Sequence, residues 1–189
     1  MSKTVSVRGI ELMLINKDIE FKLVTDEHHP FLAEWFKEPV YWGNFLNMPP
    51  FSKESVKEML DSFKESQWYL IYDRKTGKPM GVIASFNPYG DGYFGAEIGY
   101  VVHQDSRKLG VATKAASMLI DHLFDTSLVP RIIANIVVGN NASRRVVEKA
   151  GMSLEGIERR KYFLNGKFVD MWLFSIIRDD WVSPIKNND

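Results

Sequence analysis

The apolar positions of this chain fall into short runs of two periods, and their alternation predicts an α/β order along its length. Residues 7–15 and 19–24 alternate apolar and polar side chains about Asn16-Lys17-Asp18 and predict two strands. Asp26 is placed to cap a helix whose Phe31, Leu32, Trp35 and Phe36 share one face, and Pro39 ends it. Ser52 opens a second helix, with Val56, Met59, Leu60 and Phe63 at the i, i+3, i+4 and i+7 positions. Two β-rich runs, 68–72 and 80–86, flank the turn-forming stretch 73–79. Residues 94–102 read as a buried strand and 103–109 as a basic turn. A helix follows from about Gly110, its apolar face carried by Ala112, Ala115, Ala116, Leu119 and Leu123.

A further strand, 131–138, is expected beside 94–102. The turn 139–143 leads into a short helix with Val146, Val147 and Ala150 inward and Gly151 just past its end. The chain closes in a hairpin, 157–164 and 168–177, that turns at Asn165-Gly166, a dipeptide suited to a turn with two positive φ angles. Its apolar residues Phe163, Phe168, Trp172 and Phe174 bury in the chain's own core or across a dimer, so a monomer or a homodimer is expected. The polar residues from Ser183 onward are expected to fray.

Composition narrows the classes. A length of 189 residues suggests a single domain, 1–189, and an apolar share of 45% with 13% aromatics is enough for a packed core. Lys+Arg and Asp+Glu are equal at 24 each, so general charge-driven binding to nucleic acid is not expected. The lack of cysteine excludes disulfides, thiolate metal sites and a cysteine acyl-enzyme, and no metal is called for. No apolar run approaches the length of a membrane span and no secretory leader is visible, so the expectation is a soluble cytoplasmic protein with no membrane partner. The sequon Asn141-Ala142-Ser143 is read as incidental on the same ground.

Candidate chemistry begins at the helix start after the basic turn. Gly110, Val111, Ala112 and Thr113 leave the first N–H groups of the helix open to an anion, and phosphate oxygens suit that place because free donors and the helix dipole point the same way. On the glycine alone, an ordinary strand, turn and helix reads equally well. The order strand, Arg107-Lys108-Leu109-Gly110-Val111-Ala112, helix, strand, Asn140-Asn141-Ala142-Ser143, helix, Gly151-Met152 resembles the GNAT superfamily of N-acetyltransferases. Arg107, Gly110 and Ala112 match the family's first signature, and Asn140, Ser143 and Gly151 its second. The closing pattern, Asn165-Gly166, Asp170, Ser175-Ile176-Ile177-Arg178 and Trp181, is similar to the ribosomal-protein N-acetyltransferase (Rim-type) branch.

The resemblance implies a central, mixed, strongly twisted sheet of about seven strands with helices on both faces and two splayed parallel strands. It implies acetyl-CoA as donor, its pantetheine arm lying between 94–102 and 132–138. Tyr100, Val101 and Val102 would offer backbone groups to the arm, and the N–H groups of Leu109, Gly110, Val111, Ala112 and Thr113 would take the pyrophosphate beside Arg107 and Lys108. Asn140 would reach the pantetheine or cap the next helix.

Amines arrive mostly protonated at neutral pH, so a base is needed. Glu97, on the central strand and opposite in face to Ile98 and Tyr100, is the first candidate, with an ordinary strand salt bridge as its other reading. A backbone N–H near Val101 or Val102 would stabilise charge on the acetyl oxygen. The family's usual thiolate-protonating tyrosine falls at Val147, which leaves Ser143 to serve the sulfur and Tyr162 as a substitute. Met152 stands where the family often has Phe, and Lys108 where many members have Gly.

The expected reaction is direct acetyl transfer in a ternary complex to a protein N-terminus or a small-molecule amine. An aminoglycoside or amino-sugar acetyltransferase, and a non-catalytic acetyl-CoA-binding sensor module, are the other readings. The aromatic connection 41–50 lines a substrate pocket or, equally, covers a core edge. The stretch 35–51 resembles the corresponding part of aminoglycoside N-acetyltransferases, whose pockets carry more acid, for which Glu34, Glu38, Asp91 and Asp170 are the candidates.

Overall fold

Eight strands form one mixed sheet in the order β1-β2-β3-β4-β5-β6-β8-β7 in a computed structural model that describes residues 14–37, 43–46, 53–62, 66–87 and 95–182. The strands are β1 (Leu14–Ile15), β2 (Ile19–Leu23), β3 (Gln67–Asp73), β4 (Pro79–Phe86), β5 (Ala96–Val102), β6 (Arg131–Val137), β7 (Ser153–Leu164) and β8 (Lys167–Ile177). The helices are α1 (His29–Lys37), α2 (Lys53–Ser62), α3 (Val111–Thr126) and α4 (Asn141–Lys149). The count is eight rather than about seven, and β7 starts at Ser153, four residues earlier than expected. The missed start is polar and half-exposed (Ser153, Glu155, Gly156), so it carries no apolar alternation to detect. Pro39, Tyr41, Trp42, residues 47–52, Phe63 and most of the expected 7–15 strand lie outside the described residues.

Strand alternation sorts the core onto two faces. Tyr69 and Ile71 of β3 turn to one face, where α3 lays down the buried Val111, Ala115, Ala116, Leu119, Ile120, Leu123 and Phe124. Leu70, between them, turns to the other face and meets Leu32, Ala33 and Phe36 of α1 and Val56 of α2. At about 25 cal/mol per Å² of apolar area, such fully buried Leu and Phe side chains contribute roughly 1.5–3 kcal/mol each. No helix among the described residues is long and apolar enough to cross a membrane.

The turn chemistry holds. Asn165 and Gly166 both have positive φ (49° and 80°), as a type I′ hairpin requires. Helix α4 ends in a Schellman arrangement: Gly151 at φ 90° lets the Met152 N–H reach the Val147 carbonyl at 3.0 Å and its own N–H reach that of Glu148 at 3.2 Å. Met152, the residue after it, is buried in the core, so the departure from Phe is a packing substitution. The apolar face of the final hairpin divides: Phe174 is buried and Trp172 half-buried, while Phe163 and Phe168 pair edge to face at 5.2 Å on the exposed tip.

The feature that positions a site is where the ladder stops. β4 and β5 pair from Phe86↔Glu97 through Gly81↔Val102, and β6 and β8 from Arg131↔Ile177 through Val137↔Met171. The parallel pair β5–β6, by contrast, is joined only at Ala96↔Ile132 and Glu97↔Ile133. Beyond Glu97 the two strands part.

Gly81 sits opposite the free end of β5, and a Cβ there would lie 2.6 Å from the Val101 carbonyl oxygen. Both partners are backbone, so nothing flexible can yield. Gly81→Ala is expected to destabilise the fold by about 1–3 kcal/mol, the range for forcing atoms into packed space, read as a lower denaturant midpoint at unchanged m-value. A midpoint equal to that of the parent protein would contradict the tight approach.

Candidate active site

The parting of β5 and β6 opens a cleft of about 1130 Å³. Residues 97–102 of β5 form one wall and 134–137 of β6 the other. At one end lie Ser106, Arg107, Lys108 and the first turn of α3, and at the other Lys161 and Tyr162 of β7 with Met171 of β8. From the stretch 35–51, Phe36 of α1, the 3-10 turn Gly43–Phe45 and Leu46 also line it, with Trp68 of β3 and Phe86 of β4.

Backbone direction follows from the register. His103 N–H donates to the Met80 carbonyl at 2.8 Å, which makes residues 103 and 80 a hydrogen-bonded antiparallel pair. Counting back along the ladder, the main-chain groups of Val101 and Gly99 face β4, while those of Val102, Tyr100 and Ile98 face the opening. Of the three residues expected to offer backbone to a ligand, Tyr100 and Val102 are therefore turned to the gap. Val101 lines the cleft with its N–H and carbonyl on the β4 side.

At the α3 end, Gly110 is the N-cap in the left-handed region (φ 76°), and no side chain caps the helix. The first-turn N–H groups are thus left for a ligand, with the helix dipole behind them. Lys108 also takes a left-handed conformation, φ 62°, at a cost of about 1–2 kcal/mol for a residue with a Cβ. The turn therefore keeps the path a glycine there would allow. Arg107 anchors it: its Nε donates to the Val102 carbonyl at 3.0 Å. Val111, Ala112 and Thr113 line the cleft, whereas Leu109 is turned to solvent, 64% exposed, and is not a lining residue.

On the α4 side, Asn140 Oδ1 accepts the Ser143 N–H at 3.2 Å, the capping role, and both residues line the cleft. The Ser143 carbonyl accepts the Tyr100 hydroxyl at 3.2 Å, a tie from β5 to α4 across the opening. Burial pushes the Tyr100 phenol above its ordinary range, so it stays a donor. Val147, where a tyrosine was missed, is fully buried in the core.

Glu97 stands at the root of the opening. Its carboxylate accepts the Asn135 Nδ2 at 3.2 Å. Burial pushes its carboxyl above the usual carboxylate range, the Asn135 amide pulls it part of the way back, and Lys161 and Glu158 act with opposite signs. Lys161 and Tyr162 reach this place through a bulge. Glu158↔Met171 is followed by Tyr162↔Val169, so β7 spends two more residues than β8, and Arg160 between them sits at φ 52°. Asp170 stabilises the bulge by accepting the Arg160 N–H at 2.8 Å, which answers where that acid goes. Glu34 pairs with Lys37 on exposed α1, and Glu38 and Asp91 lie outside the described residues.

Three contributors went unread in the sequence: Asn135, the Tyr100 side chain, and the Glu158–Lys161 pair at 2.9 Å. Asn135 had a signal, as the polar residue within the apolar run Ile132–Val137 of a buried strand. The bulge had none.

An acetyltransferase (GNAT) domain model matches residues 18–153, most of the chain. The chain belongs to the GNAT acetyltransferase family. Members transfer an acetyl group from acetyl-CoA to an amine, and the splayed strands and uncapped helix start place this GNAT protein's cleft where that donor is expected. It is 28% identical over 118 residues to a probable N-acetyltransferase YjcK of Bacillus subtilis, an alignment covering 62% of this chain and 65% of that protein. It is 25% identical over 178 residues to the ribosomal-protein-serine acetyltransferase of Escherichia coli, covering 89% and 98%. Among solved structures, a RimL ribosomal L7/L12 α-N-protein acetyltransferase in complex with coenzyme A superposes with a TM-score of 0.78 at 20% identity, covering 89% and 99%.

The raised Glu97 carboxyl has a consequence for stability. The native state holds that proton more tightly than the unfolded chain, so below the ordinary carboxylate pKa both states are protonated and nothing is lost; as pH rises through the raised value, a buried charge must be carried and stability falls. Glu97→Gln is expected to gain stability over the parent as pH rises from about 4 to about 8, measured as the difference in denaturant midpoints. A difference that shrinks with rising pH would contradict the burial-driven shift.

Proposed function

We propose that this GNAT protein acetylates a primary amine, the α-amino group of a protein N-terminus or the amine of a small molecule, by direct attack in a ternary complex. The observation that carries the reading is the place of Glu97: a half-buried carboxylate at the point where the β5–β6 ladder ends, in the same cleft as an uncapped helix start. The full-length relation to a ribosomal-protein-serine acetyltransferase supports the N-terminal amine as acceptor.

Acetyl-CoA, when bound, supplies the thioester that is cleaved. The chain's residues fit a phosphorylated arm: the left-handed turn at Lys108 and Gly110 and the open N–H groups of residues 111–113 suit a pyrophosphate, with Arg107 and Lys108 adding positive charge. Tyr100 and Val102 turn their main chain toward the gap, where they hold the arm; the Val102 N–H is the donor set to meet the charge growing on the acetyl oxygen. Asn140 shapes this wall by capping α4 and so fixing Ser143.

Glu97, held above the ordinary carboxylate range, is the general base. It removes one proton as the amine nitrogen bonds to the carbonyl carbon and the C–S bond breaks. Ser143, at the start of α4, donates a hydrogen bond to the departing thiolate, and the helix dipole favours the same charge; Glu97 releases the proton it took to solvent, from which the thiolate takes up its own. Tyr162, carried into the cleft by the bulge, is a second donor on the acceptor side.

Removing a positioned base costs about 10²–10⁴ in rate. Glu97→Gln is expected to lower kcat/KM by about that factor near neutral pH and to recover toward the parent at alkaline pH, where the amine is already free, measured as thiol release from acetyl-CoA with N-terminal seryl and alanyl peptides and spermidine as acceptors. Rates unchanged across pH would sink the assignment of Glu97, and acetyl-CoA binding with no turnover on any amine would favour the sensor module. Ser143→Ala is expected to lower kcat by about tenfold with the KM for acetyl-CoA little changed, the pattern of an interaction made as charge develops on sulfur. A raised KM at constant kcat would make Ser143 a binding residue only.

A further inference from the structure

The charges that line the cleft are divided between its ends. Arg107 and Lys108 stand by the first turn of α3, with Arg145 and Lys149 on the neighbouring α4, and the other end holds Glu97 and Lys161. Among the described lining residues Glu97 is the only carboxylate, so an amine that reaches it meets a cation as its charged neighbour. The sheet register brings Lys161 to this place. Glu97 pairs with Ile133, Val137 with Met171, and Met171 with Glu158, which puts Glu97, Asn135, Met171 and Glu158 on one face, opposite the face that packs under α3. β7 crosses that face at Glu158 and then bulges: Arg159 and Arg160 are exposed, Asp170 fixes the Arg160 N–H at 2.8 Å, and Lys161 and Tyr162 return to line the cleft.

The ion pair that Lys161 makes is one-sided. Its Nζ donates to Glu158 Oε1 at 2.9 Å, and the two side chains are 41% and 27% exposed. Lys161 lines the cleft and Glu158 does not, so the ammonium stands in front of the carboxylate that partners it. A substrate therefore meets the positive end of the pair. Burial dominates the Glu97 carboxyl, yet Lys161 lowers it and Glu158 raises it, so the charges of the pair are felt at the base itself.

We propose that Lys161 makes the acceptor end select by charge, disfavouring amines that carry a second cation near the reacting nitrogen and favouring amines followed by a carboxylate. This rests on the acetyl-transfer reading, with the acceptor amine between Glu97 and the β7 bulge. A polyamine keeps another ammonium a few bonds from the one that reacts, and that group faces Lys161 across a cleft whose walls are largely apolar. A peptide with an acidic second residue offers instead a carboxylate that pairs with the same ammonium. The effect on the reacting nitrogen has the same sign. A neighbouring cation favours the uncharged amine, which an α-amino group with an ordinary pKa of about 8 reaches at less cost than an alkylamine at about 10.4. The preferred acceptor is thus a protein N-terminus with acidic residues behind it, and polyamines are rejected.

The test is a ratio of kcat/KM values, which does not depend on how much of a variant is folded. Thiol release from acetyl-CoA is measured with N-terminal seryl peptides alike except for glutamate, alanine or lysine at the second position, and with spermidine. The parent protein is expected to favour the glutamyl over the lysyl peptide by about fivefold, the scale for a partly exposed charge pair, and to use spermidine least. Lys161→Gln is expected to bring that ratio toward one and Lys161→Glu to invert it with a gain on spermidine, whereas Lys161→Arg, which keeps the charge, retains the parent order. Raising salt from about 0.05 M to about 0.5 M should narrow the ratio in the parent protein and leave it unmoved in Lys161→Gln. A ratio that is the same in the parent protein, Lys161→Gln and Lys161→Glu overturns charge selection by Lys161. Absence of turnover on every peptide and on spermidine overturns the acetyl-transfer reading itself, and the inference with it.

Discussion

Everything functional in this fold depends on a parallel ladder that is allowed to stop. Antiparallel neighbours hold β5 and β6 along their full lengths, so each strand is secured from its outer side and can afford to leave the inner side unpaired. Backbone groups freed in this way must be satisfied, because an orphaned N–H or C=O in a protein interior costs as much as a lost hydrogen bond. The chain answers for one of them with a side chain, Arg107 taking the Val102 carbonyl, while Tyr100 ties to α4 and Asn135 spans to Glu97 across the opening. What remains facing the gap is what a peptide-like arm can pair with. The cleft is a strand vacancy in the hydrogen-bonding sense, which suits the amides of the donor proposed for it.

The same parting sets the electrostatics. Glu97 lies where the sheet is still closed enough to exclude water and open enough to reach a substrate, which is why burial is the largest influence on its carboxyl. If Glu97 is the base, as proposed, its stability cost and its capacity for proton transfer have one origin, the burial that the Asn135 hydrogen bond only partly offsets.

Much of this was legible from residue pattern. The helical faces of α1 and α3 follow the 3.6-residue period because one side of each packs on the sheet, and Asn165-Gly166 and Gly151 mark positions where positive φ is required. Glu97 was legible as an acid interrupting an apolar strand. The first turn of α3 was legible from Gly110, and Lys108 shows that the backbone path persists where the residue type departs from the expected one. The β7 bulge was not legible, since a register shift between Glu158 and Tyr162 arises from pairing with β8 and leaves no local mark in a run of charged residues. Nor was the division of Tyr100, Val101 and Val102 into gap-facing and β4-facing groups, which is fixed by the ladder partner rather than by side-chain type.

The two ends of the cleft therefore differ in how they are built, and that difference explains which half of the reaction the residues disclose. The end proposed for the donor is made of main chain: a helix start, a left-handed turn and the edge of a strand, whose N–H and C=O groups suit phosphate and amide. The end proposed for the acceptor is made of side chains brought from three separate strands, Glu97 from β5, Asn135 from β6, and Lys161 and Tyr162 from the β7 bulge. A main-chain site needs only a short motif and so appears in sequence as a signature. A side-chain site assembled across the sheet appears only when the register is known, as the Asn135–Glu97 hydrogen bond shows.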